Sequence, residues 1–319
     1  MRNRSSGIPA IAFAVRCATM RPMNKALPYI CVATAATCWG FTGLFNRYLT
    51  VLGFTQTQLF FVRCFVPLVV LGLWLLIRDR SAFRIRLRDL WMFLGSGLLS
   101  LTMFGLAYFS AMQVMSLSVA VVLLYTSPVW VVLLSAPLFK ERITWLKVLA
   151  LILVIVGAAC TTGLVTGAPA ITPVGLLYGL ISGLGYALYS IFGRFALNAG
   201  YKSTTITFYT ILFATVALFF IADVPAIPAL LRTPGDWIYA IGLGVVTCLA
   251  PYLLYTRGLA GMENGVASII ATLEMVVATI VSTAIFHEPF GMLNLLGVAL
   301  VLGGIVVMNL RIRGNVHRA

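Results

Sequence analysis

Charge is what this chain has least of. Asp, Glu, Lys and Arg make up 9% of its 319 residues, while 61% are hydrophobic. A soluble domain carries about 25% charged residues, and no water-soluble fold of this length encloses so much apolar surface. The solvent around the folded chain is therefore lipid. Acids are scarcer than bases, 8 against 22, for a formal charge of +14. A basic excess on a polar domain points to nucleic acid, but here the bases lie between apolar runs, which excludes that partner and favours the membrane.

Other absences narrow the function. The two histidines, His287 and His317, stand at segment ends, and the six cysteines are scattered with no CxxC or Cys/His spacing. Neither a metal site nor a disulfide framework follows; small packing residues do. There is no GxxxxGK[ST] loop and no polar stretch long enough to hydrolyse a nucleotide. No His/Asp/Ser constellation occurs either. The expectation is a non-enzyme with no cofactor, whose partners are lipid and a small-molecule solute.

What is present is a series of apolar runs. A span of the ~30 Å hydrocarbon core takes roughly 20 apolar residues. Ten are expected, near 28–49, 57–77, 90–111, 115–136, 145–165, 175–196, 204–223, 237–258, 265–286 and 292–311, separated by breakers such as Gly53, Gly200, Pro225 and Pro289. The preceding stretch IPAIAFAVRCATM is interrupted by Arg16 and lacks a small-residue cleavage site. It reads as no cleaved signal peptide; Met20 or Met23 is an alternative start, and an interfacial amphipathic segment another reading. With the N-terminus in the cytoplasm, nineteen of the 22 basic residues fall on the inner side, Arg47 and Arg232 outside, and Arg63 within a span. That asymmetry obeys the positive-inside rule and puts both termini in the cytoplasm, in an inner or plasma membrane.

The chain also repeats itself. Tyr108–Arg142 and the stretch from Tyr255 share one rhythm at a constant offset of 147 residues, with Glu141 matching Glu288. In the same ungapped register Phe45 matches Phe192, Arg47 matches Arg194, Gly53-Phe54 matches Gly200-Tyr201, Asp89 matches Asp236 and Gly97 matches Gly244. Five helices per copy is an odd number, so the second copy enters the membrane from the opposite side, the inverted-repeat plan of alternating-access carriers. The predicted fold is an all-α membrane protein of ten transmembrane helices as two inverted five-helix repeats, residues 28–166 and 175–313. A cytoplasmic segment 1–27 and a tail 314–319 flank them.

The paired stretches CWGFTGLFNRYL and GYALYSIFGRFAL, and the helix ends SPVWVVLLSAPLFKE and EMVVATIVSTAIFHE, resemble the EamA-like family of the drug/metabolite transporter superfamily. The likeness covers about Pro28 to Arg313. It implies export of small metabolites through a cavity between the halves, bounded mainly by helices 1, 3, 4, 6, 8 and 9. The family's Glu-Pro pair early in helix 9 is split here: Glu274 precedes Met275, and the proline stands in the first copy as Ser127-Pro128.

Glu274 lies about nine residues into the ninth span, near mid-membrane at ~1.5 Å per residue. An acid there costs roughly 2.5–3.5 kcal/mol on insertion scales unless it faces water or a partner. It is a candidate to bind an amine or take up a coupling proton; the alternative is a protonated glutamate bonded to a neighbouring helix. Arg63, about six residues into the second span, either snorkels outward, pairs with Glu274 or binds a substrate carboxylate. Glu141 and Glu288 read as gating residues or as solvated end charges. Trp39, Thr42 or Gly43, and Asn46 share one helical face, and Tyr186, Tyr189 and Gly193 share its counterpart. With Tyr125 and Tyr252 they are candidate cavity walls, apolar with a polar handle. Tyr108 and Tyr255 read as cavity residues or as interfacial aromatics.

Pro67, Pro128, Pro137 and Pro251 mark kinks within spans, hinged or static, and the Gly179/Gly183 and Gly303-Gly304 pairs mark close helix contacts. An oligomer is not required by any of these features. The leading expectation is a secondary exporter of small metabolites, amino acids or amphipathic compounds. A lipid flippase or a facilitative channel-like permease is the alternative.

Overall fold

A computed structural model describes residues 26–164 and 171–316. The reading of the N-terminal stretch, Cys17, His317 and the segment between the repeats lie outside these residues. Among the described residues seven helices are long and apolar enough to cross a membrane: α1 (Leu27–Val51), α2 (Gln56–Arg78), α3 (Leu87–Val114), α4 (Leu117–Phe139), α6 (Pro173–Asn198), α8 (Pro234–Leu259) and α9 (Asn264–Phe286). Between α6 and α8, α7 (Ser203–Phe219) is followed by the short segment Val224–Leu230, which turns away by 93°. The remaining apolar helices are shorter: α5 (Trp145–Thr161) and the Met292–Met308 stretch of α10 (Met292–Val316).

Local chemistry sets the helix starts. Thr55 and Gln58 form a capping box that opens α2, and Thr233 and Asp236 form one for α8, satisfying backbone amides that have no partner inside the helix. Thr172 accepts from the Gly175 amide at the start of α6, where Pro173 fits the first turn. Helices α4 and α9 each break near their middle. The α4 break, at Tyr125–Thr126, falls just before Pro128, and the α9 break is at Thr272. Helices α3 and α8 each widen into a π-helical stretch, Gly95–Thr102 and Val245–Leu249. The one in α8 precedes Pro251; the one in α3 has no proline to explain it.

The large apolar side chains that remain exposed, among them Leu73, Trp74, Ile77, Leu133, Trp145, Phe220 and Ile238, form a flank that only lipid covers at low cost. Backbone polar groups stay inside the helices, as hydrocarbon demands.

Contacts between the two copies come in exchanged pairs. A Cβ on Gly95 would meet the ring of Phe192, and one on Gly242 the ring of Phe45, each 2.4 Å away. Gly97 lies against Phe213 and Ala214, while Gly244 lies against Val66 and Pro67. The mates Asp89 and Asp236 each accept a hydrogen bond from a tyrosine of the other copy, Tyr201 at 2.8 Å and Tyr48 at 3.0 Å, although the two tyrosines are not themselves mates. Backbone specials obey the same 147-residue register. Gly53 and Gly200 have φ of 97° and 90°, and Lys140 and His287 have φ of 58° and 54°. Each copy's elements thus meet the other copy's equivalents reciprocally, the signature of a pseudo-twofold arrangement.

Candidate functional site: a cavity closed at one end

Between the copies lies a cavity of about 490 Å³. One face of α1 supplies Trp39, Thr42, Gly43 and Asn46, the set that helical periodicity put together. Phe60 and Arg63 come from α2, Tyr108 from α3, Tyr125 from α4, Tyr186 from α6 and Glu274 from α9. Helix α5 adds Thr161, and Glu288 and Asn294 also line the cavity.

The helix break at Thr272 places Glu274 in the first turn of the second half of α9. Its carboxylate accepts a hydrogen bond from the Tyr186 hydroxyl at 3.0 Å. Arg63 does not snorkel outward. One of its terminal nitrogens donates to the Thr247 carbonyl at 2.9 Å, inside the π-helical stretch of α8, where the widened turn loosens the backbone ladder. Its Nε is buried with no hydrogen-bond partner among the described residues. Arg63 and Glu274 share one cavity, yet neither forms an ion pair among the described residues.

An aromatic layer closes one end. The Trp39 ring meets Tyr186 at 6.2 Å and both Tyr252 and Tyr255 at 5.5 Å; Tyr189 abuts Tyr252 at 4.7 Å. Against the layer lies a tight space of about 20 Å³, lined by Tyr189, Tyr252, Tyr255, Val131 and Ser190 among others. Tyr189 and Tyr252, expected as cavity walls, are therefore part of the seal. Tyr189 bonds Thr256 at 2.6 Å, and Tyr255 bonds Ser190 at 2.7 Å. Tyr255 is 3% exposed, and Tyr108 lines the cavity, so neither is an interfacial aromatic. Helix α8 contributes to the seal and not to the open cavity, a departure from the expected set of bounding helices.

Beneath the seal sits a polar cluster that sequence reasoning missed. Glu141, read as a candidate gate or a solvated end charge, is 9% exposed and accepts from the backbone amides of Asn264 at 2.6 Å and Gly265 at 3.2 Å. Lys147 is 1% exposed and bridges Glu141 at 3.5 Å and Glu263 at 2.6 Å. Arg194 donates to the Asn264 side chain at 2.7 Å and to the Met262 carbonyl. At the opposite end Glu288 pairs with Arg47 at 2.9 Å, both half exposed, and accepts from Ser282 at 2.6 Å. No spacing in the sequence announced this cluster, because the contacts that close it, Lys147 to Glu263 and Asn264 to Glu141 and Ser135, cross between the copies.

A helical bundle with an apolar flank and a cavity sealed at one end has the build of a membrane transporter. The chain belongs to the EamA-like transporter family, whose model matches residues 26–163 and 173–310, once for each copy. Among its relatives is an uncharacterized transporter of Archaeoglobus fulgidus, 31% identical over 63% of this chain and 70% of that protein. The uncharacterized transporter YxxF of Bacillus subtilis is 23% identical over 92% of this chain and 93% of its own length. A solved crystal structure superposes with a TM-score of 0.73 at 20% identity, covering 90% of this chain and 97% of the other. It supports the fold alone.

Proposed function

We propose that the chain crosses the bilayer ten times, as inverted five-helix repeats spanning 28–166 and 175–313, and exports small amphipathic organic solutes by alternating access. The bent α7 with its short segment, α5 and α10 bring the seven long helices to ten. The reciprocal contacts between copies support the pseudo-twofold, and five spans per copy turn its axis into the membrane plane. With the basic residues inside, both termini are cytoplasmic. The sealed end, bearing Glu141, Lys147 and Arg194, then faces the cytoplasm, and the cavity opens outward.

The observation that carries this reading is an acid and a base that share a cavity without pairing. Glu274 is placed to receive an amine and Arg63 a carboxylate, while Trp39, Tyr125, Tyr186 and Asn46 offer an apolar wall with hydroxyl, indole and amide handles. Small amphipathic metabolites and amino acids fit such a box. Glu274 also serves as the coupling group: protonated it releases the amine, deprotonated it binds it, so solute and proton compete for one carboxylate. The aromatic seal speaks against an open channel. A flippase needs a polar groove facing lipid, and the groove of about 550 Å³ beside Phe61, Phe65, Phe219 and Trp237 is almost wholly apolar. Cavity and seal are complete in one chain, so no oligomer is required.

Glu274→Gln tests the reading. Solute flux into proteoliposomes is expected to fall at least tenfold, with loss of its pH dependence, while the protein elutes and melts as the parent does. Unaltered flux and pH response would remove Glu274 from the mechanism.

A further inference from the structure

Two helix N-termini have the same shape and different partners. Glu263 precedes α9 with φ −65° and ψ 146°; its repeat mate Ser116 precedes α4 with φ −66° and ψ 144°. Neither makes a side-chain cap of its own. The first amides of α9, on Asn264 and Gly265, are capped from outside by Glu141. The matching amides of α4, on Leu117 and Ser118, receive no side-chain cap among the described residues.

The carboxylates that would do the capping are equally alike. Glu141 and Glu288 each follow a left-handed residue, Lys140 at φ 58° and His287 at φ 54°. Each turn folds back on a serine carbonyl. Glu141 donates its amide to Ser135 at 3.4 Å, and Glu288 donates its amide to Ser282 at 3.5 Å. Acceptor turn and donor terminus are therefore preformed at both ends of the molecule, and only at one end are they engaged. At the other, Glu288, Asn294 and Leu117 line the open cavity together.

Resting on the alternating-access reading, we propose that closing the open end brings the Glu288 carboxylate onto the Leu117 and Ser118 amides. Opening the sealed end then leaves Glu141 to pair with Arg194, as Glu288 now pairs with Arg47. The two glutamates exchange roles, each capping a helix of the other copy in one state and holding its arginine in the second. Helix N-termini favour a carboxylate by charge as well as by hydrogen bonding. A second observation points the same way. The Ser116 hydroxyl is buried with no hydrogen-bond partner among the described residues. Its mate Glu263 is held by Lys147, whose own mate Asn294 lines the cavity. Closure brings the Asn294 amide to the Ser116 hydroxyl.

Val131 and Ala278 are repeat mates, one buried under the seal and one in the open cavity. In a chain with its six native cysteines replaced by alanine, Val131→Cys reports opening of the sealed end through a small maleimide added on that side. A hydrogen bond to a charged group contributes about 1.5–3 kcal/mol, so losing either latch shifts the equilibrium about tenfold or more. Glu141→Gln is expected to raise labelling of Val131→Cys by that factor, and Glu288→Gln to lower it. Glu288 is half exposed, so its variant keeps the fold and this arm stands without the other. Oxidation is expected to link Ser116→Cys to Asn294→Cys, which leaves Glu288 in place, and more so with Glu141→Gln added. A Glu288→Gln variant that labels like the parent or faster, or a pair that never links, overturns the exchange. No solute is needed for labelling: latches that respond as stated while nothing is transported would sink the transport reading and keep the exchange.

Discussion

The two ends of the cavity carry the same residue at the same place in the repeat, and they hold it differently. At the sealed end Glu141 is nearly buried, caps α9 and touches a lysine that is 1% exposed. At the open end Glu288 is half in solvent and holds Arg47 across 2.9 Å. Charge in a buried network is costly to orphan, whereas an exposed pair is screened and worth little. The ends also differ in chemistry. Lys147 and Glu263 at one are replaced by Asn294 and Ser116 at the other. The sealed end is thus the more strongly held of the two.

Lys147→Met should have the largest effect. It leaves Glu141 and Glu263 without their cation, and breaking a buried pair costs about 3–5 kcal/mol; thermal unfolding in detergent should fall by several degrees, with the sealed end opening. Next is Gly157→Ala on α5. A Cβ there would sit 2.8 Å from the Gly297 carbonyl of α10, a backbone group that cannot swing away. Overpacking of this kind costs about 1–3 kcal/mol, visible as a lower melting point with cavity chemistry untouched. Arg47→Ala removes an exposed pair worth about 0.2–1 kcal/mol, and melting should scarcely change.

The smallest effect lies outside the spans. Lys202 donates to Asp79 at 2.6 Å and holds its carboxyl below the ordinary carboxylate value, helped by Ser81. A depressed folded value means stability present above the unfolded value and lost as pH falls through the folded one. Lys202→Gln should move that acid limb upward in an unfolding titration; an unmoved limb would show the contact to be idle.

Much of this was legible beforehand because it is periodic. Trp39, Thr42, Gly43 and Asn46 recur at helical spacing and do line the cavity, and the 147-residue register carries through to the left-handed residues and glycine contacts. Glu274 stood out because an acid so deep in an apolar run needs a reason, and Tyr186 supplies one. Periodicity could not separate Tyr186 from Tyr189, three residues apart on one face, although the aromatic layer puts one at the cavity and the other in the seal. Nor could it find the carbonyl that holds Arg63, since Pro251 hints at a break in the helix without saying that the Thr247 carbonyl faces a side chain of another helix.

Composition alone decided that this protein lives in lipid, and the constant register alone decided that it is one unit twice over, because both are properties of residue order that no packing alters. Which end is sealed, and which glutamate caps a helix, was settled only by tertiary structure. Glu141 and Glu288 follow the same left-handed turn in both copies, so what separates them resides in distances across the copies, which local residue order does not reveal.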